Sequence, residues 1–180
     1  MAHARSDFRE MLSAELVSVT GGVLAGVLLS FLTGEFTLLP GFLILLPGFL
    51  EMRGNISGSL SARLSSGLFV GALKPRGWHG RLVKGNVVAS FFLVLIVAFV
   101  LSLVALAFGW AAFGFVETRI VWVALIAAVL SNAIEIPLTV AATFWLFRHG
   151  HDPNNVMGPY VTTTGDIISI VSLAVAFLVV

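Results

Sequence analysis

The chain has no cysteine and little charge. Without cysteine there is no disulfide framework, no thiolate metal site and no cysteine nucleophile, and the redox compartment leaves no trace. Only 11% of the 180 residues are charged, while 58% are hydrophobic. An average soluble domain is about 25% charged and about 45–50% apolar. So apolar a chain is neither disordered nor an ordinary soluble domain. Ten lysines and arginines stand against nine acids, a formal charge of +1, which excludes the basic footprint of a nucleic-acid binder. Also missing are a nucleophile–His–acid set, a phosphate-cradling glycine loop and a zinc-protease helix, so nothing points to an enzyme. What remains is an integral membrane protein of mean hydropathy +1.05 whose first partner is the lipid bilayer. At 19.1 kDa the expectation is one membrane domain, with no room for a cytosolic sensing domain.

A helix needs about 20 residues to cross the hydrocarbon core. Residues 1–15 are polar and form a cytoplasmic N-terminal segment suited to a surface helix. No signal-peptide cleavage site follows them. Residues 16–180 form the membrane domain. Residues 17–32 are the first span, followed by a turn at Thr33-Gly34-Glu35. Residues 36–73, with Pro40 and Pro47, are a long or broken second element, two half-helices meeting near 47–55. Residues 86–116 are the third span, tilted or bent near Gly109. Residues 120–147 are the fourth, with Pro137 inside. Residues 158–180 are the fifth, with Pro159 in the first turn, where its missing N–H costs nothing. The fold class is an all-α polytopic bundle of five spans, or six if the second element divides.

Lysine and arginine give the orientation. Arg5 and Arg9, then Lys74, Arg76, Arg81 and Lys84, then Arg148 fall on one side under five spans. The other side has only Arg119. The N-terminus is therefore expected in the cytoplasm, and the plasma membrane is the expected location. Trp110 and Trp122 fall at the outer interface and Trp78 and Trp145 at the inner one, as an aromatic belt requires.

A charge at the bilayer centre costs about 2.5–3.5 kcal/mol on insertion scales, so polar residues there need an aqueous path or a partner. In the fifth span, helical spacing aligns Thr162, Asp166 and Ser169, and Gly165 exposes backbone beside the carboxylate. Asp166 is either part of an oxygen-lined cation site or structural glue paired with Arg53 or Arg63. In the second element, Gly54, Gly58, Ala62 and Ser66 repeat every four residues, a seam for close helix packing. Asn55, Ser59 and Arg63 run beside it, and Glu51 lies one turn before Asn55. Glu51 either lines the same path as Asp166 or marks a helix end. In the fourth span, Ser131, Glu135, Thr139 and Thr143 form a stripe that faces the bundle interior, with Asn132 beside it. Glu135 is either a path-lining ligand or the neutraliser of an arginine. Pro137 frees a carbonyl near Ala133. All these ligands are hard oxygens, which suit Mg²⁺, Ca²⁺ and Mn²⁺. His149 and His151 read as a solvated loop rather than a transition-metal site. Gly21-Gly22 reads as helix packing.

Two segments carry a family resemblance. Pro47-Gly48-Phe49-Leu50-Glu51-Met52-Arg53-Gly54-Asn55, continuing through Ala62-Arg63-Leu64-Ser65-Ser66, resembles the second-helix signature of the MgtE and solute-carrier-41 magnesium transporters. Asp152-Pro153-Asn154-Asn155, followed by Pro159-Tyr160-Val161-Thr162-Thr163-Thr164-Gly165-Asp166, resembles the start of that family's fifth helix. The resemblance implies a divalent-cation channel or transporter in which two five-helix units surround a pore. It implies that Asp166 holds a hydrated Mg²⁺, that Thr162 lies beside the ion and that Gly54-Asn55 lie near the pore. The chain departs from full-length bacterial members, which add cytosolic Mg²⁺-sensing domains, and from eukaryotic members, which fuse two halves. It is therefore expected to pair, as a homodimer or with a second five-helix half, and to lack that gating within itself.

The resulting expectation is a Mg²⁺ pathway, with Mn²⁺, Co²⁺ and Ca²⁺ not distinguished. Its metal-site residues are Asp166, Thr162, Thr163, Asn55, Glu51, Glu135 and Gly54. The alternative is a non-conducting scaffold or accessory half of a heterodimeric transporter.

Overall fold

In hydrocarbon every backbone N–H and C=O must be bonded within its own segment, and an α-helix does this unaided. The computed structural model describes residues 2–36, 41–77, 79–114 and 116–180, and among them every regular element is helical. Five helices follow in order: α1 (Ala2–Phe36), α2 (Phe42–Phe69), α3 (Arg81–Phe113), α4 (Arg119–Arg148) and α5 (Pro153–Val179). Pro40 and Trp78, which figure in the sequence expectations, lie outside the described residues.

Several boundaries differ from expectation for local reasons. α1 runs unbroken from Ala2, so residues 2–15 form no separate helix, and Thr33-Gly34-Glu35 is helical rather than a turn. α2 is one helix, not two halves. Pro47 sits early in it, so its ring removes a single ladder bond, the one to the Leu43 carbonyl. α3 passes through Gly109 and ends at Gly114, whose φ of +75° turns its N–H back to the Trp110 carbonyl. α5 starts five residues ahead of the expected residue 158. Asp152 caps it by accepting the Asn154 N–H at 2.8 Å, and Pro153 takes the place in the first turn that was expected for Pro159. Pro159 lies inside the helix instead.

Among the described residues four stretches are long and apolar enough to cross a membrane: Asp7–Leu32 within α1, and all of α3, α4 and α5. α2 is not one of them, because it carries Glu51, Arg53, Asn55, Arg63 and a run of serines. Packing explains how such a helix survives here. α2 lies against α3, α4 and α5, and α5 lies against α1, α2 and α4. The most polar helix thus packs against three apolar ones and leaves Glu51, Asn55, Ser59 and Arg63 exposed, while the main contact of α1 is α5.

Among the described residues two large apolar clusters, with a small one of Leu146, Met157 and Val161, build the interior. One joins Phe42, Leu45 and Phe49 of α2 to Ala98, Ala105, Val123, Ala127 and Leu173. The other joins Leu60, Leu64 and Leu68 to Val83, Ile136, Val140 and Phe144. α2 and α4 run parallel, since Arg53 meets Asn132 and Glu135, and Ser61 meets Thr143. Their C-terminal ends therefore coincide. Pro75 and Arg148 border one groove there, and Glu10 reaches His151 and Asn155. Arg9, Lys74, Arg76, Arg81, Lys84 and Arg148 consequently share one end of the bundle. At the other end Gly41 abuts Ile120, and Arg119 stands beside Glu117. Trp110 and Trp122 are exposed at that second end and Trp145 at the basic end.

Candidate functional site

Asp166 stands at the midpoint of α5 and Asn55 near the midpoint of α2. Between these helices lies an open groove of about 440 Å³. Glu51, Gly54 and Asn55 line it from α2, and Gly158, Thr162 and Asp166 from α5. The structure thus brings together five of the seven expected metal-site residues: Asp166, Thr162, Asn55, Glu51 and Gly54. Helical spacing does this on both sides, because 51, 54, 55 and 58, like 158, 162 and 166, recur on one face. Small side chains let the faces meet. A methyl on Gly54 would stand 3.8 Å from the Thr162 hydroxyl oxygen, and one on Gly58 3.9 Å from a Val161 methyl.

The polar atoms of the groove are acceptors in the main. Asn55 donates to the Glu51 carboxylate at 2.9 Å and so fixes it along the wall. The Thr162 hydroxyl spends its proton on the Gly158 carbonyl at 3.0 Å, leaving lone pairs for water or a cation. Asp166 is half-buried, and among the described residues no side chain hydrogen-bonds or ion-pairs with it. The two arginines named as its structural partners are engaged elsewhere. Arg53 is fully buried on the opposite face of α2, and Arg63 donates to the Ser90 hydroxyl at 3.1 Å.

Glu135 and Thr163 lie away from the groove. Glu135 is fully buried and neutralises Arg53, whose Nε donates to Oε2 at 3.0 Å and whose Nη2 reaches the same oxygen. Arg53 Nη1 donates to Asn132 Oδ1, and Asn132 Nδ2 donates to the Phe91 carbonyl at 3.3 Å. One polar layer thereby ties α2, α3 and α4 directly behind the groove. Thr163 faces α1, donating to Ser18 Oγ at 2.7 Å beside Gly21, where a side chain would collide with the Thr163 methyl. Ser169, aligned with Asp166 in sequence, points into the core and is fully buried. Of the small-residue seam, Gly54 and Gly58 face α5, while Ala62 and Ser66 are exposed.

Gly165 has a different use from the one its sequence position suggests. It is buried, and a Cβ there would stand 3.0 Å from Glu135 Oε1. It makes room for the buried carboxylate on one side while Asp166 faces the groove on the other. The sequence left Glu135 as either a path-lining ligand or the neutraliser of an arginine; it did not identify Arg53 as that arginine or join Asn132 to the pair. It also missed the contact of His151 with Glu10 at 2.7 Å, for which no local pattern exists.

Comparison with known proteins bears on the same segments. The family model described as MgtE: Divalent cation transporter matches residues 46–176, from α2 to α5. The chain is 27% identical over 151 residues to solute carrier family 41 member 2 of Xenopus laevis, covering 79% of this chain and 25% of that one. It is 26% identical over 150 residues to the Homo sapiens protein of that name, covering 79% and 24%. Against the Gallus gallus protein it is 26% identical over 176 residues, covering 88% and 29%. The chain spans about a quarter of the length of the curated relatives it matches.

Proposed function

Since the chain belongs to the MgtE divalent cation transporter family, we propose that it carries a hydrated divalent cation, Mg²⁺ first, past Asp166 in the groove between α2 and α5. The observation that carries this reading is the Asp166 carboxylate, without a side-chain partner among the described residues, at the midpoint of an apolar helix and in one groove with Glu51, Asn55 and Thr162. An unpaired carboxylate at that depth is costly unless water and a cation reach it.

Mg²⁺ dehydrates reluctantly and binds through one or two carboxylates with several waters retained. Six waters need roughly 180 Å³ at about 30 Å³ each, and a groove of about 440 Å³ accommodates them. Asp166 supplies the direct or water-mediated ligand. Glu51 adds charge, while Thr162 and Asn55 orient the hydration shell. Glu135 does not ligate the ion but neutralises Arg53, so the buried guanidinium does not repel it.

α2 spans the membrane packed against α3, α4 and α5, which gives five spans. The end that carries Lys74, Arg76 and Arg148 faces the cytoplasm of a plasma membrane, following the positive-inside rule. The inside-negative potential then drives a dication inward by about 4.6 kcal/mol per 100 mV, twice the value for one charge. The open side of the groove is closed by a second copy or by a second five-helix half, which doubles the carboxylates facing the ion.

Mg²⁺ uptake into liposomes holding the purified protein, wild type beside Asp166→Asn, tests this. Loss of uptake in a variant that elutes as the wild type does supports Asp166 as ligand. Equal uptake removes Asp166 from that role. A wild type inactive alone and with co-expressed membrane partners removes the transport reading.

A further inference from the structure

At the basic end of the bundle a second groove, of about 410 Å³, opens between α4, the link from α2 to α3 and Tyr160 of α5. That volume falls within the range of small-molecule sites, about 300–1,000 Å³. Leu138, Ala141 and Ala142 of α4 form its apolar wall, Trp145 flanks it, and Pro75 and Arg148 close its outer end. None of the described residues lining it is acidic.

Its two ends differ in chemistry in the order a phospholipid does. The wall lies along a helix apolar enough to cross a membrane, and Leu138 is exposed on that helix. The outer end is cationic. Arg148 uses Nε to hold the Phe144 carbonyl at 3.2 Å, and its terminal amines have no partner among the described residues. Lys74 and Arg76 flank Pro75, and both are exposed with no ion pair among the described residues. A bare anion would need the cations but not the wall. A neutral lipid would need the wall but not the cations. Basic pockets between helices at a membrane surface suit anionic headgroups.

We infer that this groove seats an anionic phospholipid of the leaflet at the basic end. One acyl chain lies on Leu138, Ala141 and Ala142, and the phosphate sits among Arg148, Lys74 and Arg76. The site is separate from the cation groove, and its test reads no ion flux.

The test is lipid retention by native mass spectrometry after extraction from vesicles of equal parts phosphatidylglycerol and phosphatidylcholine. The wild type retains phosphatidylglycerol in preference. Arg76→Gln removes no hydrogen bond and lowers the preference about five-fold, equivalent to about 1 kcal/mol per basic residue near the surface. Arg148→Gln also lowers it, and Arg148→Lys keeps it. Leu138→Trp, which fills the wall, lowers retention of phosphatidylglycerol in a protein that elutes normally. Equal retention of the two lipids, or a preference indifferent to Arg76→Gln, overturns the inference. Displacement by glycerol phosphate, which has no acyl chain, also overturns it in favour of a bare anion site.

Discussion

Arg53 places two nitrogens on one oxygen of Glu135, Oε2, and leaves Oε1 against the backbone of Gly165. The next residue in α5 is Asp166, and the next two in α2 are Gly54 and Asn55. The same two turns of helix thus carry a neutralised buried pair on the inside and an unneutralised acid on the groove side. The pair sits where α2, α4 and α5 approach one another behind the groove.

Removing one partner of this pair strands a buried charge, which costs about 3–5 kcal/mol. Arg53→Met is therefore expected to unfold or aggregate in detergent well below the wild-type temperature. Arg53→Met with Glu135→Leu leaves no charge and recovers most of that loss. Thermal unfolding followed by size-exclusion chromatography reads both. A double variant no better than the single one contradicts a stabilising role for mutual neutralisation.

Gly165→Ala tests the contact from the other side. The added methyl would stand 3.0 Å from Glu135 Oε1 and 3.4 Å from its Cδ. Glu135 is held by Arg53 and cannot retreat freely, so α5 must shift. Overpacking of this kind costs about 1–3 kcal/mol. Lower thermal stability is expected together with weaker Mg²⁺ uptake, because the shift carries Asp166 with it. Gly54→Ala meets only an ordinary contact, 3.8 Å from Thr162 Oγ1, and leaves stability near wild type.

The helices and their mutual order were legible in the sequence because long apolar stretches leave the backbone one solution. The Asp166 groove was legible because both of its faces repeat at helical spacing within two short motifs. Glu135 was not resolved, since its partner Arg53 lies 82 residues away and only packing shows which carboxylate an arginine meets. Thr163 adjoins Thr162, but adjacency in a helix does not put two side chains on one face. One residue of helix turns a side chain by about 100°, and that rotation points it at Ser18 of α1. Pro47 does not break α2 because the helix starts only five residues before it, and no sequence pattern marks that start.

The two threonines are expected to separate experimentally. Thr163→Val loses the bond to Ser18, and interhelical hydrogen bonds in membranes average about 0.6 kcal/mol. A small drop in thermal stability is expected with an unchanged concentration dependence of Mg²⁺ uptake. Thr162→Val leaves α1 alone and removes an oxygen from the groove. It is expected to raise the half-saturating Mg²⁺ concentration with little effect on stability. The reverse pattern would mean that the ion passes between α1 and α5.

Glu51→Gln isolates charge from shape. The amide keeps the size of the side chain and can still accept from Asn55, as the carboxylate does at 2.9 Å. What it loses is one negative charge beside the ion path. Through water at about 8 Å, a dication and a unit charge interact by about 1 kcal/mol, which corresponds to about a five-fold weaker apparent affinity. The loss should shrink as ionic strength rises, since screening over such a distance is strong in salt. Uptake titrations at low and high potassium chloride read both effects. A five-fold loss that salt does not change would point to a direct Glu51 ligand bond. No loss at either ionic strength would place the ion beyond reach of Glu51, on the α5 side of the groove alone.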